Sequence, residues 1–249
     1  MSKFKISVVS YLNSKPFIHG LKESGLMDDI DLQLDIPSVC AQKLLDNKVD
    51  VGLIPVAVIP LLKESYIISD YCIGAVGKVA SVCLYSQVPL NEIKTILLDY
   101  QSRTSVTLVK VLAKEHWNID PEWKNAEADF EEKIEGNTAA VIIGDRTFGI
   151  EEKYPYRYDL AEEWQKLTGL PFVFACWVSN KALPSEFITQ FNAALKKGIE
   201  AIDTVSDEIA AGGTYATDVA YYLKNNISYP FDQPKKQGLE LFLKHLKSL

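Results

Sequence analysis

The feature that narrows the choice of folds most is an alternation: as far as about residue 145, short β-rich runs take turns with amphipathic segments. FKISVVS reads as a strand, PFIHGLKES as a helix, DLQLDI as a strand, SVCAQKLLDN as a helix and VDVGLIP as a strand. Strands spaced by helices in this way imply a parallel sheet with helical crossovers. A second series begins at TILLDY (95–100) and runs through the helical SVTLVKVLAKEHW, a strand at EADF (127–130) and a short helix, closing on AAVIIGD (139–145). Two α/β units in tandem are expected.

An internal echo supports the division. CAQKLLDNKVDVGLIPV (40–56) and DFEEKIEGNTAAVIIGDRTF (129–148) each carry a short amphipathic helix, an Asn or Gly stop, an apolar strand and then a small or imino residue, a pattern common to many βαβ units. Between the units, ASVCLYSQVPL (80–90) suits a strand crossing from one lobe to the other, and TGLPFVFACWVS (168–179) suits the return. Beyond Ser179 the pattern is helical, with Pro184 and Ser185 near a helix start and Phe187, Ile188, Phe191 and Leu195 at helical spacing. These helices are expected to pack on the first lobe. The resulting expectation is an α/β fold of two lobes joined by two crossing strands, lobe 1 being 1–86 plus 177–249 and lobe 2 being 87–176, with a cleft between them.

Bulk properties remove several function classes. With 47% apolar residues among 249, the chain buries a substantial core. Its 26 basic and 33 acidic residues give a net charge of -7, so the overall field repels nucleic acid and anionic membranes. The start MSKFKISVV lacks the apolar core of a secretory signal and no apolar stretch approaches a membrane span, which points to a cytoplasmic protein. Cys40, Cys72, Cys83 and Cys176 form no close pair and only three histidines are present. Zinc-type ligand spacing is therefore absent, no metal is expected, and the thiols read as core residues.

Open α/β sheets bind ligands beyond the carboxyl ends of their strands, where loops feed helix N-termini. YLNSKPF (11–17) follows the first strand, and Pro16 fits a first helical turn, so Asn13 or Ser14 stands near the N-cap facing the cleft. DYQSRTSVTLVKVL repeats the device in the second unit, with Ser102 as cap and Arg103, Thr104 and Ser105 opening the helix. Free amides, hydroxyls and a guanidinium there suit a carboxylate. Two such ends facing one another favour a small dicarboxylate. Plain alternatives stand beside these readings: Ser102 fits an ordinary cap, and Asn13 fits a turn stabiliser, although its wet surroundings favour ligand contact. Gly144 allows close backbone approach, and Asp145 either orients a donor or caps a helical turn. Trp177 and Phe172 offer rings for stacking but default to core. His19 and His116 fall within helices and are weak candidates for a base.

These stretches also carry a resemblance. YLNSKPF, DVGLIPV, ASVCLYSQVPL, SRTSV, AAVIIGD and DLAEEWQKLTGLPFVFACW resemble the chorismate dehydratases of the menaquinone pathway that runs through futalosine. The C-terminal third resembles that family in pattern only. The resemblance implies a two-lobed fold like the periplasmic solute-binding proteins (type 2). It also implies a hydro-lyase that converts chorismate to 3-[(1-carboxyvinyl)oxy]benzoate and water without a metal or organic cofactor. It carries the catalytic positions onto Asn13 and Ser81, with SRTS as a carboxylate cradle, and attaches no role to Lys15 or Cys83. Two other readings remain open: an enzyme like 1,4-dihydroxy-6-naphthoate synthase, and a non-catalytic cytoplasmic binder of small carboxylates. No protein partner is implied.

Overall fold

The structure is a computed structural model that describes residues 3–213 and 215–249. Its strands fall into two mixed sheets. The six-stranded sheet holds β1 (Phe4–Val9), β2 (Ile30–Asp35), β3 (Val51–Pro55), β4 (Tyr66–Ala75), β10 (Phe172–Ser179) and β11 (Ser228–Pro230), in the spatial order β11-β4-β10-β3-β1-β2. The five-stranded sheet holds β5 (Val82–Ser86), β6 (Thr95–Leu98), β7 (Glu122–Asn125), β8 (Thr138–Ile143) and β9 (Tyr156–Asp159), in the order β7-β6-β8-β5-β9. Each sheet has a parallel part built by βαβ connection: β1 with β2 and β3 in one, β6 with β7 and β8 in the other.

The rest of each sheet is antiparallel, which corrects the expectation of purely parallel sheets. β10 runs antiparallel to both β3 and β4, and β5 runs antiparallel to both β8 and β9. These are strands that arrive from the other lobe, so they enter from the opposite end. Neither is itself the crossing: β5 lies wholly in the five-stranded sheet and β10 wholly in the six-stranded one. The hand-overs fall earlier than 86 and 177, between Ala75 and Val82 and between Thr168 and Phe172. EADF is not a strand either. The strand is Glu122–Asn125, and Phe130 opens a short helical turn with its ring fully buried.

Helices α1 (Lys15–Glu23) and α2 (Pro37–Leu45) follow β1 and β2, and α3 (Thr104–Leu112) follows β6. α4 (Leu160–Thr168) leads into β10, and the chain closes with α5 (Ser185–Glu200), α6 (Ile202–Ala211), the single turn α7 (Val219–Tyr221) and α8 (Gln233–Leu246). α5 crosses α1 so closely that a Cβ on Gly20 would meet the Ala194 carbonyl oxygen at 2.1 Å and one on Gly198 would meet that of Pro16 at 1.9 Å. α8 reaches further than the first lobe: Phe242 sits edge-on to both Phe172 and Trp164 of α4, at centroid distances of 5.1 and 6.1 Å. Such pairs add about 0.5–1.5 kcal/mol each beyond the area they bury, so α8 helps hold the two lobes as one core.

Candidate functional site in the cleft between the sheets

Both helix N-termini singled out in the sequence open into one cleft at the carboxyl ends of β1 and β6. Its wall includes Asn13 and Ser14 from the start of α1, Ser102, Thr104 and Ser105 from the start of α3, Ser81 before β5 and Gly144 after β8. Val9, Tyr11, Pro55, Ile73, Ile143 and Phe174 complete its apolar surface. The cleft encloses about 530 Å³ of empty space counted out to its open mouth. Hydrogen bonds from Leu12 N–H to Asp145 and from Ala57 N–H to Thr104 hold the lobes against each other. No Asp, Glu, His, Lys or Arg is among the described residues lining it.

Ser81 owes its place to strain and a buried acid. Ala80 before it has φ +64, a conformation that costs an L-residue with a Cβ roughly 1–2 kcal/mol. Asp159, at the end of β9, holds that turn in place by accepting from the amides of Val79 at 3.2 Å and Ala80 at 2.7 Å while also capping α4 through Ala161 and Glu162. Burial pushes the Asp159 carboxyl above the usual range, opposed by those four amide hydrogen bonds. On the far side, the Ser81 carbonyl accepts from Gly144 N–H at 2.8 Å.

Gly144 lies against a ring of the protein itself, for at φ +69 a Cβ there would strike the Tyr11 ring at 2.7 Å. Its neighbour Asp145 lies outside the lining and fastens the lobes: it accepts from Leu12 N–H at 3.0 and 3.1 Å, with the Tyr215 phenol beside it. Burial raises the Asp145 carboxyl, and the carboxylate beside Tyr215 adds to burial in pushing that phenol up to about 12.

In the second lobe, Ser102 accepts from Ser105 N–H at 2.9 Å, so its oxygen serves the helix while its own hydrogen stays free for the cleft. Thr104 is more engaged than expected. Its hydroxyl donates to the Phe174 carbonyl at 3.1 Å and accepts from Ala57 N–H at 3.3 Å, bridging the sheets. Asp99 at the end of β6 is buried and fixes this loop, accepting from the amides of Gln101 and Ile143 at 3.0 Å each and from Arg146. Burial pushes its carboxyl up and the Arg146 guanidinium opposes that.

Two candidates are not brought to the cleft. Arg103 stands exposed at the N-cap of α3, outside the lining. Trp177 is fully buried between Phe17 and Phe191, edge-on at 5.7 and 5.0 Å, so its ring belongs to the six-stranded sheet's core. The register of β10 slips between Val173 and Ala175 and again between Cys176 and Val178, so alternation along the strand does not tell which side chains face the cleft. His19 and His116 lie away from it, beside Glu208 and Glu163. All four thiols are buried and unpaired, and burial pushes Cys40 and Cys72 up to about 12.

Three tyrosines that the C-terminal region sends to the site were not legible in the sequence. Tyr215 meets Asp145, Tyr222 shares a 2.7 Å hydrogen bond with Ser81, and Tyr229 donates to the Asn13 carbonyl at 3.0 Å. They stand seven residues apart, and that spacing was the only available signal. Among the described residues no group of three or more His, Cys, Asp or Glu side chains is placed to hold a metal ion, and no helix is long and apolar enough to cross a membrane.

Two lobes with an apolar cleft walled by helix N-termini define a protein of the periplasmic-binding-protein-like class. Solved structures agree on the fold. A protein from Archaeoglobus fulgidus superposes with a TM-score of 0.76 at 15% identity, covering 99% of this chain and 97% of that one. A Candida albicans protein described as having the generic periplasmic binding protein fold does so at 0.65 and 12%, covering 100% and 91%. Residues 4–248 match the family described as menaquinone biosynthesis, and the chain belongs to that family. It is similar to the chorismate dehydratase of Thermus thermophilus, 24% identical across 99% of this chain and 96% of that one. It is also similar to the chorismate dehydratase of Campylobacter jejuni, 26% identical across 97% and 96%.

Proposed function

We propose that the protein is a cytoplasmic hydro-lyase that dehydrates chorismate to 3-[(1-carboxyvinyl)oxy]benzoate, the first step of futalosine-dependent menaquinone synthesis. Family membership and the two full-length relatives support this reading. The observation that carries it from binding to chemistry is the composition of the cleft: neutral donors on opposite walls and no charged side chain lining it.

Chorismate carries two carboxylates, which the side-chain donors Asn13 at the head of α1 and Ser102 at the head of α3 grip from both sides. The reaction takes the proton from C3 and hydroxide from C4; the C–H electron pair becomes the new ring double bond, and proton and hydroxide depart as water. Aromaticity supplies the driving force. With no protein base at the cleft wall, the enolpyruvyl carboxylate of the substrate takes the proton, and the closed lobes hold that carboxylate against C3. Asn13 and Ser81 hydrogen-bond the oxygens on which charge develops. Substrate enters when the lobes part.

Incubating the protein with chorismate and following ultraviolet absorbance tests this. The expected result is an aromatic enol-ether benzoate formed without added metal or cofactor. Stable chorismate in the presence of folded protein would leave a binder of small carboxylates as the better reading.

A further inference from the structure

The Ser81 hydroxyl faces the cleft and makes one hydrogen bond to protein, to Tyr222, so what it offers a ligand depends on which of the two donates. The phenol of Tyr222 is buried, its ring edge-on to Phe148 at 5.0 Å. A phenol has one hydrogen and two lone pairs, and a buried donor left unmade is costly. Ser14, fully buried, donates to Asn13 Oδ1 at 3.1 Å, which commits the amide oxygen of Asn13 to Ser14. The one hydrogen of the phenol then has a single acceptor in reach, Ser81 Oγ at 2.7 Å.

We infer that Tyr222 is a positioning residue: its O–H donates to Ser81, so that the Ser81 O–H is turned into the cleft as a fixed hydrogen-bond donor. The bond from Tyr222 polarises the Ser81 O–H at the point where the reaction above develops charge. Ser81 is accordingly a donor to an oxygen anion or a departing hydroxyl and not a nucleophile, since nothing at the cleft wall takes its proton. Tyr229, from the same C-terminal segment, donates to the Asn13 carbonyl and holds that residue in place.

This inference rests on the dehydratase reading for its kinetic consequence but not for its geometry, and two measurements separate them. Neutron diffraction from crystals of the full chain exchanged into heavy water reads the direction itself. A deuteron on Tyr222 Oη aimed at Ser81, with the Ser81 deuteron aimed into the cleft, is expected; a Ser81 deuteron on Tyr222 overturns the inference. With chorismate, Tyr222→Phe keeps the ring packed on Phe148 and is expected to lower kcat about 10- to 100-fold with KM nearly unchanged. In a Ser81→Ala background the same change is expected to cost nothing more. Losses that multiply, as a merely structural role gives, or a Tyr222→Phe enzyme as fast as wild type, would overturn it. A wild-type protein inert toward chorismate counts against the dehydratase reading alone, and the neutron result still decides the hydrogen bond.

Discussion

At the head of α1 the Asn13 side-chain oxygen accepts from Ser14 and its amide nitrogen is left for the cleft, while its carbonyl is held by Tyr229. Because its role in the proposed reaction is to steady charge that appears during turnover, Asn13→Ala is expected to lower kcat by about 100- to 1000-fold. KM should change far less and the circular dichroism spectrum should stay native; steady-state kinetics with unchanged kcat would remove the role. The sequence made Asn13, Ser14, Ser102 and Ser105 legible because helix-start chemistry is local: a proline or a run of hydroxyls after an apolar strand marks the end of a sheet. It misplaced Trp177, because the side a strand residue faces depends on its register with neighbours, and β10 shifts register twice. Tyr222 was illegible for a related reason, being 141 residues from the serine it meets.

α1 carries Asn13 and Ser14 at its head, so its position against α5 sets the geometry of the first lobe's half of the site. The contact rests on Gly20 and Gly198, where each helix backbone touches the other. Gly198→Ala forces the helices apart, and a loss of about 1–3 kcal/mol is expected, read as a lower urea midpoint at unchanged slope. An undisturbed midpoint would mean that the crossing yields freely. At this scale the strand and helix alternation was legible throughout both βαβ units, because two-residue and 3.6-residue periods are written locally. The chain's passages between lobes were not: the apolar runs at 80–90 and 168–179 looked like crossings, whereas the crossings are the short segments between Ala75 and Val82 and between Thr168 and Phe172, the first fixed by the long-range amide bonds of Asp159.

For the whole molecule, the function depends on two lobes that close. Leu12 with Asp145, Ala57 with Thr104, and Thr104 with Phe174 are hydrogen bonds between elements of different sheets, each worth about 0.5–1.5 kcal/mol net. Bonds of that size favour closure without locking it. The two-lobed plan was legible as a repeat of α/β units and a resemblance, but closure was not, since it arises from pairs of residues more than 45 positions apart. The most direct test of the central claim, that both lobes grip one small dianion, is a crystal structure with 3-[(1-carboxyvinyl)oxy]benzoate. One carboxylate within hydrogen-bond distance of Asn13 or Ser81 and the other at Ser102 and Ser105 is the expected result; product bound outside this cleft, or held by one lobe with the other facing solvent, would contradict it.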